Sequence, residues 1–167
     1  MNGLDRRSLL IGGAAMLAGA TVLPVGAFAA AVASPPPAEM VAAVNALRKR
    51  YRVGPLALND RLQRHAEYQA RLMAERDTLS HDLGPGLGLR ERSDKFGYHG
   101  VIGENVAAGY RTLSDVLDGW MASQGHRRNL LRPNFSEFGL AYATLPRSRK
   151  ARQHIYWAME FGGHTID

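Results

Sequence analysis

The chain has 167 residues, a formal net charge of +6 and no cysteine. A length of this kind holds one domain with a sizeable core, and the missing thiols exclude disulfides, thiolate metal sites and a cysteine nucleophile. The positive balance favours acidic partners such as anionic lipid or envelope polymer, but the charge is scattered, and no aromatic-basic platform points to nucleic acid.

Residues 1–33 read as an export leader. Arg6 and Arg7 precede an apolar run from Leu9 to Leu23 that is rich in Ala and Gly. The run falls short of the roughly 20 strongly apolar residues of a membrane span. Arg-Arg-Ser-Leu-Leu resembles the twin-arginine export signal. Two small-x-small cleavage sites fit, Ala27-Phe28-Ala29 and Ala31-Val32-Ala33. The second is preferred because Ser34-Pro35-Pro36-Pro37 reads as a stiff linker before a domain over residues 38–167. Cleavage predicts a periplasmic or extracellular protein; without it the leader becomes a membrane anchor.

From Ala38, the positions Met40, Val41, Val44, Leu47 and Tyr51 follow helical periodicity. Glu39 in the first turn and Arg48, Lys49 and Arg50 near the end suit the macrodipole, and Gly54-Pro55 is a stop. Asn59 is an N-cap for a second helix with Leu62, Ala66, Ala70 and Met73 on its inner stripe, ending near Asp77. His65 lies beside that stripe and reads as a packed or half-exposed residue. Residues 83–100 carry Gly84, Pro85, Gly86 and Gly88; with no Lys-Ser/Thr after them and no helix start, they read as a surface loop rather than a phosphate cradle.

Thr112-x-x-Asp115 is a capping box that opens a helix to Met121. Ser123 caps a shorter piece from His126 to Leu131, halted by Pro133. Beyond it the period turns strand-like. Gly139 to Ala143 is a short run, and residues 155–161 alternate, with Ile155, Trp157, Met159 and Phe161 on one face. The hairpin loop between them holds Arg147, Arg149, Lys150 and Arg152, a candidate for weak contact with an anionic surface. Helices first and strands last predict an α+β fold with helices over a small antiparallel sheet.

Two polar islands interrupt this apolar pattern, Gly103-Glu104-Asn105 and Gly125-His126-Arg127-Arg128-Asn129. A carboxylate and an imidazole at opposite ends of one short helix can face a common cavity. Glu104 can equally serve a turn by accepting backbone N–H groups. Ser123 and His126 are near enough on one helical turn to touch. There is no G-x-S-x-G elbow, and the Ala-Ser-Gln context offers no oxyanion geometry for a serine hydrolase.

Gly103-Glu104-Asn105-Val106-Ala107, followed by Trp120-x-x-Ser123-x-Gly125-His126-Arg127-x-Asn129-Leu130-Leu131, resembles the CAP superfamily of cysteine-rich secretory, antigen 5 and pathogenesis-related proteins, in its cysteine-free bacterial branch. Asn45, Arg48, Leu79-Ser80-His81, Phe138-Gly139-Leu140, Tyr156-Trp157 and Phe161-Gly162 extend the likeness in the same order. The resemblance implies an α-β-α sandwich with its small antiparallel sheet between helix layers. It also implies a cleft lined by two histidines and two glutamates, which holds a metal ion in some members. His81, Glu104 and His126 match three of those four, and Ser123 stands where animal and plant members have the second glutamate.

The implied ligand cleft is therefore His81, Glu104, Asn105, Ser123 and His126. His81, His126 and Glu104 make a three-ligand set for Zn²⁺ with an open position, able to activate water for hydrolysis, though a serine hydroxyl is a poor fourth ligand. The same residues can instead form a hydrogen-bonded network that braces the cleft. Some members of the family bind lipids or sterols. The expectation is an exported CAP-domain protein that binds an apolar or envelope-derived ligand in or near this cleft, with metal optional. A zinc-dependent hydrolase is the alternative.

Overall fold

Asn59 sets the orientation of the helix on which the domain is built. Its side chain accepts from the N–H groups of Arg61 at 2.9 Å and Leu62 at 3.3 Å, opening α2 (Asp60–Arg76). Asp77, in the left-handed region, closes it. The preceding helix α1 (Pro37–Arg50) starts on a proline, whose fixed φ suits a first turn. Asn45 in α1 exchanges two hydrogen bonds with the backbone of Leu56, at 3.0 and 2.8 Å, and so fixes the chain between the helices. The computed structural model describes residues 30–146 and 150–163. Arg6, Arg7, the apolar run, Ala27–Ala29, Arg147 and Arg149 lie outside the described residues.

The strands are β1 (Ala31–Ala33), β2 (Ala57–Leu58), β3 (Val101–Ala108), β4 (Glu137–Thr144) and β5 (Ile155–Gly163). They run in the order β1-β4-β5-β3, all antiparallel, with β2 added parallel to β4. Three further helices follow: α3 (Leu89–Lys95), α4 (Leu113–Ala122) and α5 (Gln124–Leu130).

Alternation along β5 divides the core in two. Trp157, Met159 and Phe161 pack with Met40 and Val44 of α1 and with Val116 and Trp120 of α4. Tyr156 and Ala158 point the other way, onto Ala66, Ala70 and Met73 of α2. The sheet thus lies between helix layers, an α-β-α sandwich. On the α2 side the helix comes so close to Gly139 in β4 that a Cβ there would overlap the Leu62–Gln63 backbone. Burial of each large apolar side chain contributes about 1.5–3 kcal/mol.

Three stretches differ from the expectation. The 83–100 loop contains α3, which lacks an apolar stripe because it is organised around two buried polar residues, Arg92 and Ser93. The Gly-Glu-Asn island is a strand rather than a turn: β3 is covered on both faces, and its polar side chains are satisfied internally. Upstream, the stretch read as a stiff linker, Ser34 to Pro37, is joined to the domain at both of its ends. Ser34 Oγ accepts from Gln63 Nε2 at 2.6 Å, Pro35 is buried and Pro37 belongs to α1. Ala31–Ala33, just before them, pair with Tyr142–Thr144 at the sheet edge.

Candidate functional site

β3 is an outer strand of the sheet, so its consecutive residues Glu104 and Asn105 serve opposite helix layers at one edge of the sheet. Val106 and Ala108, which share the parity of Glu104, pack in the α2 core; Ala107, which shares that of Asn105, packs in the α1–α4 core. The loop after α2 brings His81 from one layer, and α5 brings His126 from the other.

On the α2 side, Glu104 Oε1 is 2.6 Å from His81 Nδ1, and Oε2 accepts from Nη2 of Arg92. The other two nitrogens of Arg92 are also used. Its Nε donates to His65 Nε2 at 3.1 Å, and its Nη1 donates to the carbonyls of His81, at 2.8 Å, and Leu87. One buried guanidinium therefore holds both the carboxylate and the backbone of its imidazole partner. The Glu104 side chain is 1% exposed and that of His81 57%, so a buried carboxylate carries a solvent-facing imidazole.

On the α5 side the contacts are amides. Asn105 Nδ2 donates to the carbonyl of His126 at 3.0 Å. Asn129 Nδ2 donates to the Glu104 carbonyl at 3.0 Å and to Asn105 Oδ1 at 2.9 Å. Buried Arg48 fastens the end of α5 by donating to the carbonyls of Leu130 at 2.7 Å and Phe135 at 3.3 Å. Ser123 is the half-buried junction of α4 and α5, and its side chain makes no capping bond. Among the described residues, nothing couples it to the His81–Glu104 pair.

These contacts set the charge states. Burial pushes Glu104 upward, but the hydrogen bond from His81 and the Arg92 charge outweigh it and hold the carboxylate below its ordinary range. His81 is raised, chiefly by its hydrogen bond to Glu104. His126 is lowered by burial and then by the charge of His81, which couples the two imidazoles. His65, buried beside Arg92, is pushed down to about 4 and stays neutral.

Behind Glu104 stands a second carboxyl. Glu160 is its direct partner across the β3–β5 ladder and is 1% exposed. Neither Glu160 oxygen meets an N–H donor, and His65 Nε2, 3.6 Å away, already accepts from Arg92. Two facing carboxyls can hydrogen-bond only if one keeps its proton. Burial and the Glu104 charge both raise Glu160, so Glu160 is the protonated member.

The donor sets bear differently on a metal ion. His65, Glu104 and Glu160 offer ligand atoms within 4.8 Å of one another, but the Arg92 guanidinium contacts two of the three. A divalent cation would stand against that buried charge, so this trio does not fit one. At the cleft mouth, Glu104 fixes the Nδ1–H tautomer of His81 and leaves Nε2 without a partner among the described residues. A Zn²⁺ there would be held by the imidazoles of His81 and His126, with Glu104 acting through His81. When bound, it would supply a polarised water.

Of the residues expected in the cleft, His81, Glu104, Asn105 and His126 are joined by these contacts, and among the described residues no side-chain hydrogen bond joins Ser123 to them. Arg92, Glu160 and the linking role of His65 were not foreseen. The available signals were a charged residue within the alternating run 155–161 and a histidine next to the inner stripe of α2. Arg92 had no signal, being one of several charged residues in a glycine-rich stretch.

Residues 41–161, 121 of the 167, match the model of the cysteine-rich secretory protein family, CAP. The uncharacterized protein YkwD of Bacillus subtilis (strain 168) is 32% identical over 105 residues, which is 62% of this chain and 41% of YkwD. The fold is similar to that of an outer surface protein from Borrelia burgdorferi, with a TM-score of 0.67 and 22% identity over 77% of this chain and 92% of that one. It is also similar to an extracellular protein containing a SCP domain from Bacillus anthracis str. Ames. That TM-score is 0.64, with 24% identity over 75% of this chain and 39% of the other. The chain thus spans about two fifths of YkwD and of the Bacillus anthracis protein.

Proposed function

The chain belongs to the cysteine-rich secretory protein (CAP) family, and on that premise we propose that it is an exported binding module. In this reading it takes an apolar or envelope-derived ligand in or near the His81–Glu104–His126 cleft, and metal is optional. The observation that carries the reading is the commitment of Glu104. One oxygen holds His81 and the other is held by Arg92, so the carboxylate braces an exposed imidazole instead of standing ready to take a substrate proton. Apolar space is present elsewhere on the domain, in a cavity of about 360 Å³ framed by Pro35, Pro36, Met40 and Leu58, which none of His81, Glu104 and His126 lines. Export is supported by the leader and by the surface or extracellular description of the two structural relatives. Among the described residues no helix is long and apolar enough to cross a membrane.

One observation favours the second reading, a zinc-dependent hydrolase: a histidine oriented by a carboxylate, with its other nitrogen free, is a common arrangement behind a metal ligand. The two are separated by incubating chelator-treated protein with a lipid extract of bacterial envelope, re-isolating it and measuring retained lipid by mass spectrometry. The binding reading expects lipid retained in chelator and at least about ten-fold less on the His81→Ala, His126→Ala variant, a loss of roughly 1.4 kcal/mol. Equal retention by both proteins sinks it. Time-dependent product release that needs added Zn²⁺ transfers the cleft to the hydrolase.

A further inference from the structure

From Gly119 to Ser136 the chain carries three arginines and no Asp or Glu. Arg127, Arg128 and Arg132 all line one open groove of about 590 Å³ along α5, with Leu131 and Pro133 as its apolar part. All three are exposed, and among the described residues no carboxylate pairs with any of them. Two are held in place by contacts that spend little of their donor capacity. Arg127 Nη1 donates to the Met121 carbonyl at 3.1 Å, and the Arg132 guanidinium lies over the Phe135 ring, 5.1 Å from its centroid. Three other arginines of the domain are occupied. Arg48 and Arg92 are buried against carbonyls and Glu104, and Arg71 pairs with Glu75.

We propose that this α5 groove binds the phosphate headgroups of an anionic phospholipid bilayer. Guanidinium forks match phosphate oxygens in pairs, and three around one groove accept several phosphates at once. The openness of the groove favours a surface over a single small anion, which would stay hydrated there. Its apolar part suits the glycerol and upper acyl region just below the headgroups. The site is separate from the cleft, because neither His81 nor His126 lines it. It does share Asn129, the residue tied to Glu104 and Asn105, so a bilayer seated on the groove lies beside the cleft mouth. The proposal stands whether or not the cleft binds lipid.

The test is co-sedimentation with vesicles of phosphatidylcholine alone and of phosphatidylcholine with phosphatidylglycerol, at fixed salt. Three proteins are compared: wild type, Arg127→Gln/Arg128→Gln/Arg132→Gln, and a control, Arg50→Gln/Arg64→Gln/Arg111→Gln, that removes the same charge from exposed positions elsewhere. Wild type is expected to bind only the anionic vesicles. The groove variant should lose affinity on the order of 100-fold, from roughly five-fold per arginine, and the control far less. Arg128→Gln alone, which breaks no hydrogen bond or ion pair among the described residues, should lose roughly five-fold and guards against misfolding of the triple variant. Equal losses in groove and control variants would reduce the effect to net charge and overturn the proposal. So would binding to neutral vesicles, or a groove that takes inorganic phosphate while wild type ignores the vesicles.

Discussion

Arg92 and Glu104 are both buried and bonded to each other, and the same guanidinium donates to the carbonyl of His81, the residue that Glu104 holds by its ring. A short helix in a glycine-rich stretch is thereby locked to the sheet edge, and His81 is fixed by both its ring and its backbone. Removing one member of a buried pair leaves the other uncompensated, at a cost of about 3–5 kcal/mol. Arg92→Met is therefore expected to lose stability of that order in urea denaturation, and to release His81 as well. A loss under about 1 kcal/mol would show that the pair does not organise the site.

Glu160 supplies a pH-dependent term with a definite sign. Its folded pKa lies above the unfolded one, so above the unfolded value the fold holds a proton that the unfolded chain has lost. Stability from this group is fully present below the unfolded pKa, near 4.3, and is lost as pH rises toward the folded value. Glu160→Gln keeps the shape and removes the titration. The variant should melt about 2–4 °C above wild type at pH 7, and the gap should close as pH falls to 4. A variant less stable than wild type at pH 7 would contradict a protonated Glu160.

The helices were legible because their signals are local: the Asn59 cap, the stripe Leu62–Met73 and the Thr112–Asp115 box each act within a few residues. β5 was legible by its alternation. β3 was not, because its central Gly103, Glu104 and Asn105 are not strand formers on their own, and their strand state depends on partners more than 20 residues away. The motif residues His81, Glu104 and His126 could be named from sequence, and their roles could not. Only the fold shows that Glu104 has no oxygen left over and that Ser123 stands at a helix junction.

On the export reading proposed above, the sheet sets where the leader can be cut. Ala30 is buried and Ala31–Ala33 pair with β4, so cleavage after Ala33 would strip a strand from the sheet edge. Cleavage after Ala29 leaves that strand whole. Intact-mass analysis of protein recovered from the periplasm or medium is expected to place the first residue at Ala30. A first residue at Ser34 would mean that β1 is dispensable in the exported form.

Most directly at stake is the claim that Glu104 is committed to His81 and Arg92, presenting His81 as a raised imidazole without any metal. Imidazole NMR titration of chelator-treated protein tests it. His65 should titrate near 4, His126 below and His81 above the ordinary 6.5. Glu104→Gln should bring His81 down, because its main hydrogen-bonded stabilisation is gone. A His81 that titrates at or below the ordinary value in wild type, or that is unmoved by Glu104→Gln, would contradict the account.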